Sequence, residues 1–288
     1  MSWYKLILEQ IQPIHIGKYN WGVIAETEIF ITGSTIWGAL VNSYAVSSGI
    51  EKPSDLDTVR KKFEIITNFF PSFDGKSILE PTYKDGEFGY RYGDGDNEFI
   101  SEEEFRLYFV GADFKTSIDP FTITTKEEQL YEFEYILPKP KKEFLEHSEK
   151  KGFKDKLYWI GLIKLEDEKI KNFIENKPKI FVGGDTRYGY GLMKVIEFTK
   201  IEENELEKWN LDGDGKFKTS NKTSLKNFLE FDNSMEFRGE IKLIPDFNFS
   251  QNIPIVEDAK FYINIGGNIS KEINQIYKLK KGKFIKAE

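Results

Sequence analysis

The 288-residue sequence predicts an α+β chain. Residues 1–200 read as a ferredoxin-like (RRM-like) βαββαβ domain with a glycine-rich loop, and residues 201–288 as a smaller β-rich half. Three observations predict this. Apolar alternation and two helical patterns follow one another up to residue 198 in the order strand, helix, strands, strand, helix, strand. A charged stretch, KIEENELEKW (200–209), then breaks the pattern. Beyond it the strand-like runs FRGEIKLIP, AKFYINIGG and IYKLKKGKFI make up a β-rich remainder.

The first strand is WYKLILEQIQ (3–12), where Tyr4, Leu6 and Leu8 alternate with Trp3, Lys5, Ile7 and Glu9. A loop, PIHIGKYNWG, carries His15, Gly17, Lys18, Tyr19 and Trp21. In ITGSTIWGALVNSYAVSSGI (31–50), Ser34 is placed to cap a helix; Ile36, Leu40, Val41 and Tyr44 recur at helical spacing, and Gly49 ends it. A polar helix is expected over Asp55–Phe70, then a turn-rich segment through YKDGEFGYRYGDGDNE and a strand at FRLYFVG (105–111). Leu130, Glu132, Glu134 and Ile136 alternate with Tyr131, Phe133 and Tyr135, and two strands around an Asp119-Pro120 turn would make a long hairpin or an extended excursion. KLYWIGLIKLED (156–167) is a strongly apolar strand, EKIKNFIENK a short amphipathic helix, and KIFV and LMKVIEF strands on either side of the glycine loop.

Composition excludes several functional classes. No apolar run approaches the roughly 18–20 residues that span a bilayer, and the amino end lacks a basic-then-apolar pattern, so a cytoplasmic protein without membrane contact is expected. With no cysteine and only 2 histidines, neither thiol chemistry nor a metal or other cofactor is expected. The net charge of −7 argues against a generally basic surface, so any phosphate contact needs a local patch. Lys139–Lys142 and KLKKGKFIK (278–286) are candidates. LDGDGK (211–216) imitates the start of a calcium loop, but position twelve is Asn221 instead of glutamate, which leaves Asp-Gly turns. The acidic run YGDGDNEFISEEE (92–104) reads as a solvated loop or a docking surface for a basic partner, and His147 as part of a solvated loop.

The stretch VGGDTRYGYGLMKV concentrates Gly183, Gly184, Gly189 and Gly191 with Arg187, Tyr188 and Tyr190 between two strands. A dinucleotide fingerprint is excluded, because it needs a helix after the glycines. Two readings remain. One is a hairpin with a bulge whose glycines relieve strain. The other is a phosphate cradle in which bare backbone approaches a polyanion, Arg187 adds charge-assisted bonds, and Tyr188 or Tyr190 stacks on a base. His15 is a candidate general base or a surface or polyanion-contacting histidine, and Tyr19 and Trp21 either stack on bases or pack on the sheet.

IHIG after the first strand, ITGSTIWGAL opening the first helix, SIDPFTITTKEEQLYEFEYILP, WIGLIKLED and VGGDTRYGYGLMKV together resemble the repeat-associated mysterious protein (RAMP) superfamily of CRISPR effector subunits and guide-RNA processing nucleases. GVIAETEIFITGSTIWGALVNSYA is most similar to the subunit that holds the guide RNA 5′ handle in type III complexes. The resemblance implies RNA binding by the glycine loop, by Lys18, Tyr19 and Trp21, and by Gly33, Ser34 and Thr35 at the helix start. It also implies guide RNA, a large polymerase-like subunit and a backbone RAMP subunit as partners. The backbone subunit's target-cleaving aspartate has no counterpart in Trp21–Ala25, which leaves Glu26 or Glu28 as the acidic residues that magnesium-dependent cleavage would need. A His15-dependent processing endoribonuclease and a pure scaffold are the other readings.

Overall fold

The computed structural model describes residues 2–93, 98–118, 121–122, 124–144, 156–219, 223–248, 255–270, 273 and 275–287, with the side chains of 19–21, 117, 125–129, 144 and 248 outside that description. The expectations for His147, Asn221 and the Asp119-Pro120 turn therefore lie outside the described residues, as do those for the side chains of Tyr19 and Trp21.

Strands and five helices alternate among the described residues. β1 (Ser2–Gln10), β2 (Gly17–Trp21) and β3 (Ile24–Thr27) lead into α1 (Gly33–Ser47) and α2 (Pro53–Lys62). β4 (Phe70–Ser72), β5 (Glu80–Lys84), β6 (Glu87–Arg91) and β7 (Phe99–Ser101) precede α3 (Glu102–Phe109). β8 (Val110–Ile118), β9 (Thr125–Ile136), β10 (Tyr158–Leu165), α4 (Glu168–Glu175), β11 (Lys179–Phe181) and β12 (Leu192–Lys200) follow. After α5 (Glu203–Glu207) come β13 (Phe228–Glu230), β14 (Phe237–Arg238), β15 (Ile241–Asn248), β16 (Ile255–Ile263), β17 (Asn268–Ile269), β18 (Tyr277–Lys280) and β19 (Lys283–Lys286).

The first large sheet has the order β11-β12-β1-β10-β4, with antiparallel neighbours throughout. Leu6, Ile7 and Leu8 are all buried, so consecutive residues of β1 are covered on both faces of the sheet. The second has the order β15-β16-β13-β19-β18, in which β13 runs antiparallel to β16 and parallel to β19. β2-β3-β9-β8 forms a smaller sheet beside them, with the expected long hairpin as its β8–β9 pair. The apolar core is continuous across these parts: Phe30 packs against Phe70 at 6.0 Å and against Phe228 at 5.9 Å between ring centroids. No helix among the described residues is long and apolar enough to cross a membrane.

Three sequence expectations are corrected. FRLYFVG is not a strand up to Phe109; it is the body of α3. Ser101 Oγ accepts from the Glu104 amide at 3.1 Å, three glutamates fill the first turn where the helix dipole favours them, and Phe105, Tyr108 and Phe109 form the buried stripe. The polar helix spans Pro53–Lys62, with proline in its first turn, and the chain is already paired by bridges at Ile66 and Phe69. Finally, α1 is capped by Thr32 and not by Ser34. Thr32 is extended and its Oγ1 accepts from the Thr35 amide at 3.4 Å, whereas Ser34 already stands inside the first turn.

The start of α1 is locked onto the carboxy-terminal half. A Cβ at Gly33 would stand 2.5 Å from the Gly282 nitrogen, so only glycine fits there. The Gly33 amide donates to Asn68 Oδ1 at 2.8 Å, and Asn68 Nδ2 donates to the carbonyls of Lys226 (3.0 Å) and Gly282 (3.2 Å). Asn68 is fully buried, so removing its amide leaves a buried donor and two buried carbonyls with unmet hydrogen-bonding capacity. Asn68→Ala is expected to cost about 2 kcal/mol of stability, read as a lower urea midpoint with an unchanged slope.

Candidate nucleic-acid interface

The loop between β11 and β12 is stitched onto the segment that leaves β1. The Val182 amide donates to the Gly191 carbonyl at 2.9 Å, closing the loop at its neck. Across to the other segment, the Gly191 amide donates to the Pro13 carbonyl at 2.8 Å and the Gly184 amide to the His15 carbonyl at 3.0 Å. Gly183 has φ +87°, and a Cβ there would lie 2.2 Å from the His15 oxygen. A short 3-10 turn, Thr186–Tyr188, forms the tip, and the Tyr188 amide donates to the Asp185 carbonyl at 2.8 Å. Gly183 and Gly191 thus serve close backbone contact within the protein. The amides of Gly184, Tyr188 and Gly191 are used internally, while the backbone of Gly183, Gly184 and Gly189 remains exposed.

The two tyrosines have separate fates. Tyr190 is buried: its ring packs at 5.3 Å on Phe133 and 5.5 Å on Tyr135, and its hydroxyl donates to Asp113 Oδ2 at 3.1 Å. Burial, reinforced by that bond to the Asp113 carboxylate, pushes its pKa up to about 12, so the donor keeps its proton. Lys115 Nζ sits 3.5 Å from the Phe133 ring centroid and 4.4 Å from that of Tyr190, and pairs with Asp185 at 2.6 Å. This aromatic box docks the glycine loop on the base of the β8–β9 hairpin. Tyr188, 78% exposed, is the ring the loop leaves open, and Arg187 is exposed beside it.

A groove of about 1620 Å³ runs past the inner side of this loop. Gly183, Gly184 and Thr186 line one side with His15, Gly17 and Lys18; Thr32, Ser34, Thr35 and Trp37 of the α1 end line another. Gly33 is buried and its amide is spent on Asn68, so Ser34 and Thr35 are what this helix end presents. Arg187, Tyr188, Gly189, Tyr190 and Gly191 do not line the groove.

The carboxy-terminal half supplies a further wall, including Lys242, which the sequence assigned to no site, and Lys281 and Lys283 of the basic run KLKKGKFIK. Lys281 Nζ lies 3.5 Å from the Trp37 ring centroid and 3.7 Å from Glu64 Oε1. Lys242 pairs with Glu28, and Lys283 with Asp246. Among the described residues, six lysines and arginines and five aspartates and glutamates line the groove, a more basic balance than the chain's 41 to 48. The run KLKKGKFIK was a visible signal for Lys281 and Lys283; nothing local marked Lys242.

Behind Lys18 lies an ion network. Arg106 Nε donates to Glu102 Oε1 (2.9 Å), Nη1 to Glu134 Oε2 (3.0 Å), and Nη2 to Glu26 Oε1 (3.0 Å) and to the Thr27 carbonyl (2.8 Å). Lys18 Nζ bonds Glu26 and Glu102, each at 2.9 Å. The two acidic candidates for cleavage, Glu26 and Glu28, are therefore both held by cations. Among the described residues no cluster of histidine, aspartate and glutamate is placed to hold a metal ion.

Solved structures similar to this fold include two chains of RNA-bound assemblies. A chain of the type III-B Cmr-beta complex bound to cognate target RNA and AMPPnP matches with a TM-score of 0.60 at 15% identity, covering 92% of this chain and 85% of that one. A chain of the Cmr-beta complex bound to cognate target RNA matches with a TM-score of 0.58 at 14% identity, covering 98% and 99%. No curated protein matches the sequence. At these identities the likeness is one of fold. The family model of the RAMP superfamily matches residues 8–194, which take in the end of β1, all of α1 and β10, and the whole glycine loop. The chain belongs to the RAMP superfamily.

Proposed function

We propose that the chain is a non-catalytic RNA-binding subunit of a type III CRISPR effector ribonucleoprotein, holding the guide RNA 5′ handle and adjoining the large polymerase-like subunit and a backbone RAMP subunit in the cytoplasm. The observation that carries this reading is the groove itself. Three separate parts of the sequence, the glycine loop, the His15–Lys18 segment and the end of α1, meet along one concave surface. Membership in the superfamily and the fold shared with chains of RNA-bound type III-B complexes support it. The sheet order β12-β1-β10-β4, with α1 between β1 and β4 in the chain and α4 between β10 and β12, supports a ferredoxin-like domain over 1–200, with 201–288 as the half that walls the groove. The β8–β9 hairpin, with Phe114 74% and Leu130 58% exposed, is suited to act as a thumb inserted beside an RNA duplex.

Ser34, Thr35 and Lys18 would contact the strand inside the groove, while Arg187 and Tyr188 would take it up at the rim by charge and by stacking. The test is binding to a labelled repeat-derived single-stranded RNA across a salt series, wild type against Arg187→Ala. Weaker binding and a log–log salt slope reduced by about 0.7, the share of one phosphate contact on a single strand, are expected. Unchanged affinity and slope would remove the loop from the interface. The processing-nuclease reading is favoured by one observation, His15 on the groove wall. Metal-free incubation with repeat RNA separates the two readings, because a nuclease leaves a defined cut that His15→Ala abolishes.

A further inference from the structure

His15 stands where the groove passes between two exposed glycines. Its Cδ2 would lie 3.3 Å from a Cβ at Gly184, and its Nε2 3.8 Å from one at Gly17. The ring is held from behind, tilted on Phe133 at 4.3 Å between centroids, and Nδ1 lies 2.7 Å from the Glu134 carbonyl oxygen. A carbonyl can only accept, so Nδ1 carries a proton and donates. In the neutral ring Nε2 then keeps its lone pair, and no protein donor to it is found among the described residues.

We propose that His15 distinguishes ribose from deoxyribose: Nε2 accepts a hydrogen bond from a 2′-hydroxyl of the strand in the groove. The inference rests on the RNA-binding reading and gives that site its sugar preference. Along the sugar-phosphate backbone the chemistry leaves one donor, and the N–H donors of the bases are common to RNA and DNA, so they give no sugar preference. Phosphate oxygens and the ribose ring oxygen only accept, and a lone pair repels them, whereas the 2′-hydroxyl donates and is missing from DNA. The bare backbone of Gly17 and Gly184 lets the sugar-phosphate chain come this close. Burial holds the imidazole pKa below 6.5; the Glu134 carbonyl and the Asp185 carboxylate pull the other way, and the Lys115 ammonium adds to the lowering. The ring is accordingly neutral near pH 7, the state in which Nε2 accepts.

Three oligonucleotides of one sequence, roughly 12 nucleotides long, test it on the full chain: RNA, DNA, and RNA methylated at every 2′-oxygen. The methylated strand keeps the RNA sugar pucker but loses the donor. Wild type is expected to bind RNA about 5- to 10-fold more tightly than either of the others, one hydrogen bond's worth at a partly dry site. In His15→Phe, which keeps a ring on Phe133, that preference should collapse toward one while DNA affinity holds. His15→Gln, whose amide can donate to Glu134 and still offer an oxygen, should retain part of it. Methylated RNA binding as tightly as RNA, or His15→Phe weakening RNA and DNA alike, would overturn the role of His15 while leaving RNA binding intact. Wild type binding none of the three would sink the RNA-binding reading and this inference with it, and scission of the RNA would show Nε2 removing the proton instead of holding it.

Discussion

Gly183→Ala is expected to lower RNA affinity about tenfold and stability by about 2 kcal/mol. Two costs act together. An L-residue at φ +87° is strained whatever surrounds it, and the added methyl would stand 2.2 Å from the His15 carbonyl oxygen. That oxygen is not free to retreat, because it accepts the Gly184 amide, and Gly191 ties the same segment through Pro13. The loop must therefore lift off the His15 segment, which parts two walls of the groove. Gly189 separates strain from contact: its φ is +88°, yet a Cβ there meets nothing within 4 Å. Gly189→Ala should cost about 1 kcal/mol from backbone strain alone and leave RNA binding within about twofold of wild type. Fluorescence anisotropy with the repeat-derived RNA and urea melts of both variants read the two effects. Equal binding losses in the two would mean that the loop's position on His15 is irrelevant to the interface.

How much of this was legible in the sequence depended on whether a feature was local. The alternation of β1, the β8–β9 hairpin, the amphipathic α4 and the glycine loop between β11 and β12 are written in neighbouring residues, and each appears where expected. FRLYFVG misled because seven aromatic and aliphatic-rich residues fit either period, while the deciding cap, Ser101 with the glutamates behind it, lies upstream. The turn-rich segment after residue 80 hid a hairpin, β5–β6, because the positive-φ pair Asp85-Gly86 announces a turn but not the strands on either side. At the site, His15, Lys18, Ser34, Thr35, Gly183 and Gly184 could each be proposed from motif context, and all six line one groove. Tyr190 could not be told from Tyr188, since the box of Phe133, Tyr135 and Lys115 that buries it comes from a hairpin more than fifty residues away in the chain. Lys281 and Lys283 stood out as part of a basic run, but the wall they form with Lys242 was invisible for the same reason: it exists only once Asn68 and Gly282 have fastened the second half to the start of α1.

Arg106 is the strongest instance of a non-local residue, and Arg106→Leu is expected to cost about 3–5 kcal/mol near neutral pH. In sequence it is a lone arginine in an aromatic run. In the fold its guanidinium joins α3, β3 and β9 through Glu102, Glu26, Glu134 and the Thr27 carbonyl, with its side chain 19% exposed. Removing it takes the guanidinium away from three half-buried carboxylates that then repel one another, and loosens the strands that carry Lys18 and back the His15 ring. Arg106→Lys should recover only part of the loss, because an ammonium cannot reproduce a planar fork that reaches three carboxylates. The pH dependence identifies the cause. Burial alone would raise the Glu102 carboxyl, but the Lys18 ammonium and the Arg106 guanidinium more than reverse this, so its folded pKa falls below the usual 4.5. A depressed carboxylate contributes stability that is present above 4.5 and lost as the pH falls through the folded value. Below about pH 4 the wild type should accordingly lose this contribution, while the variant gains relief from repulsion, and the gap between them should narrow. Urea midpoints at about pH 7 and about pH 3.5 measure it. A gap that stays the same at both would assign Arg106 to packing of its aliphatic stem and deny the ion network any role in holding the groove together.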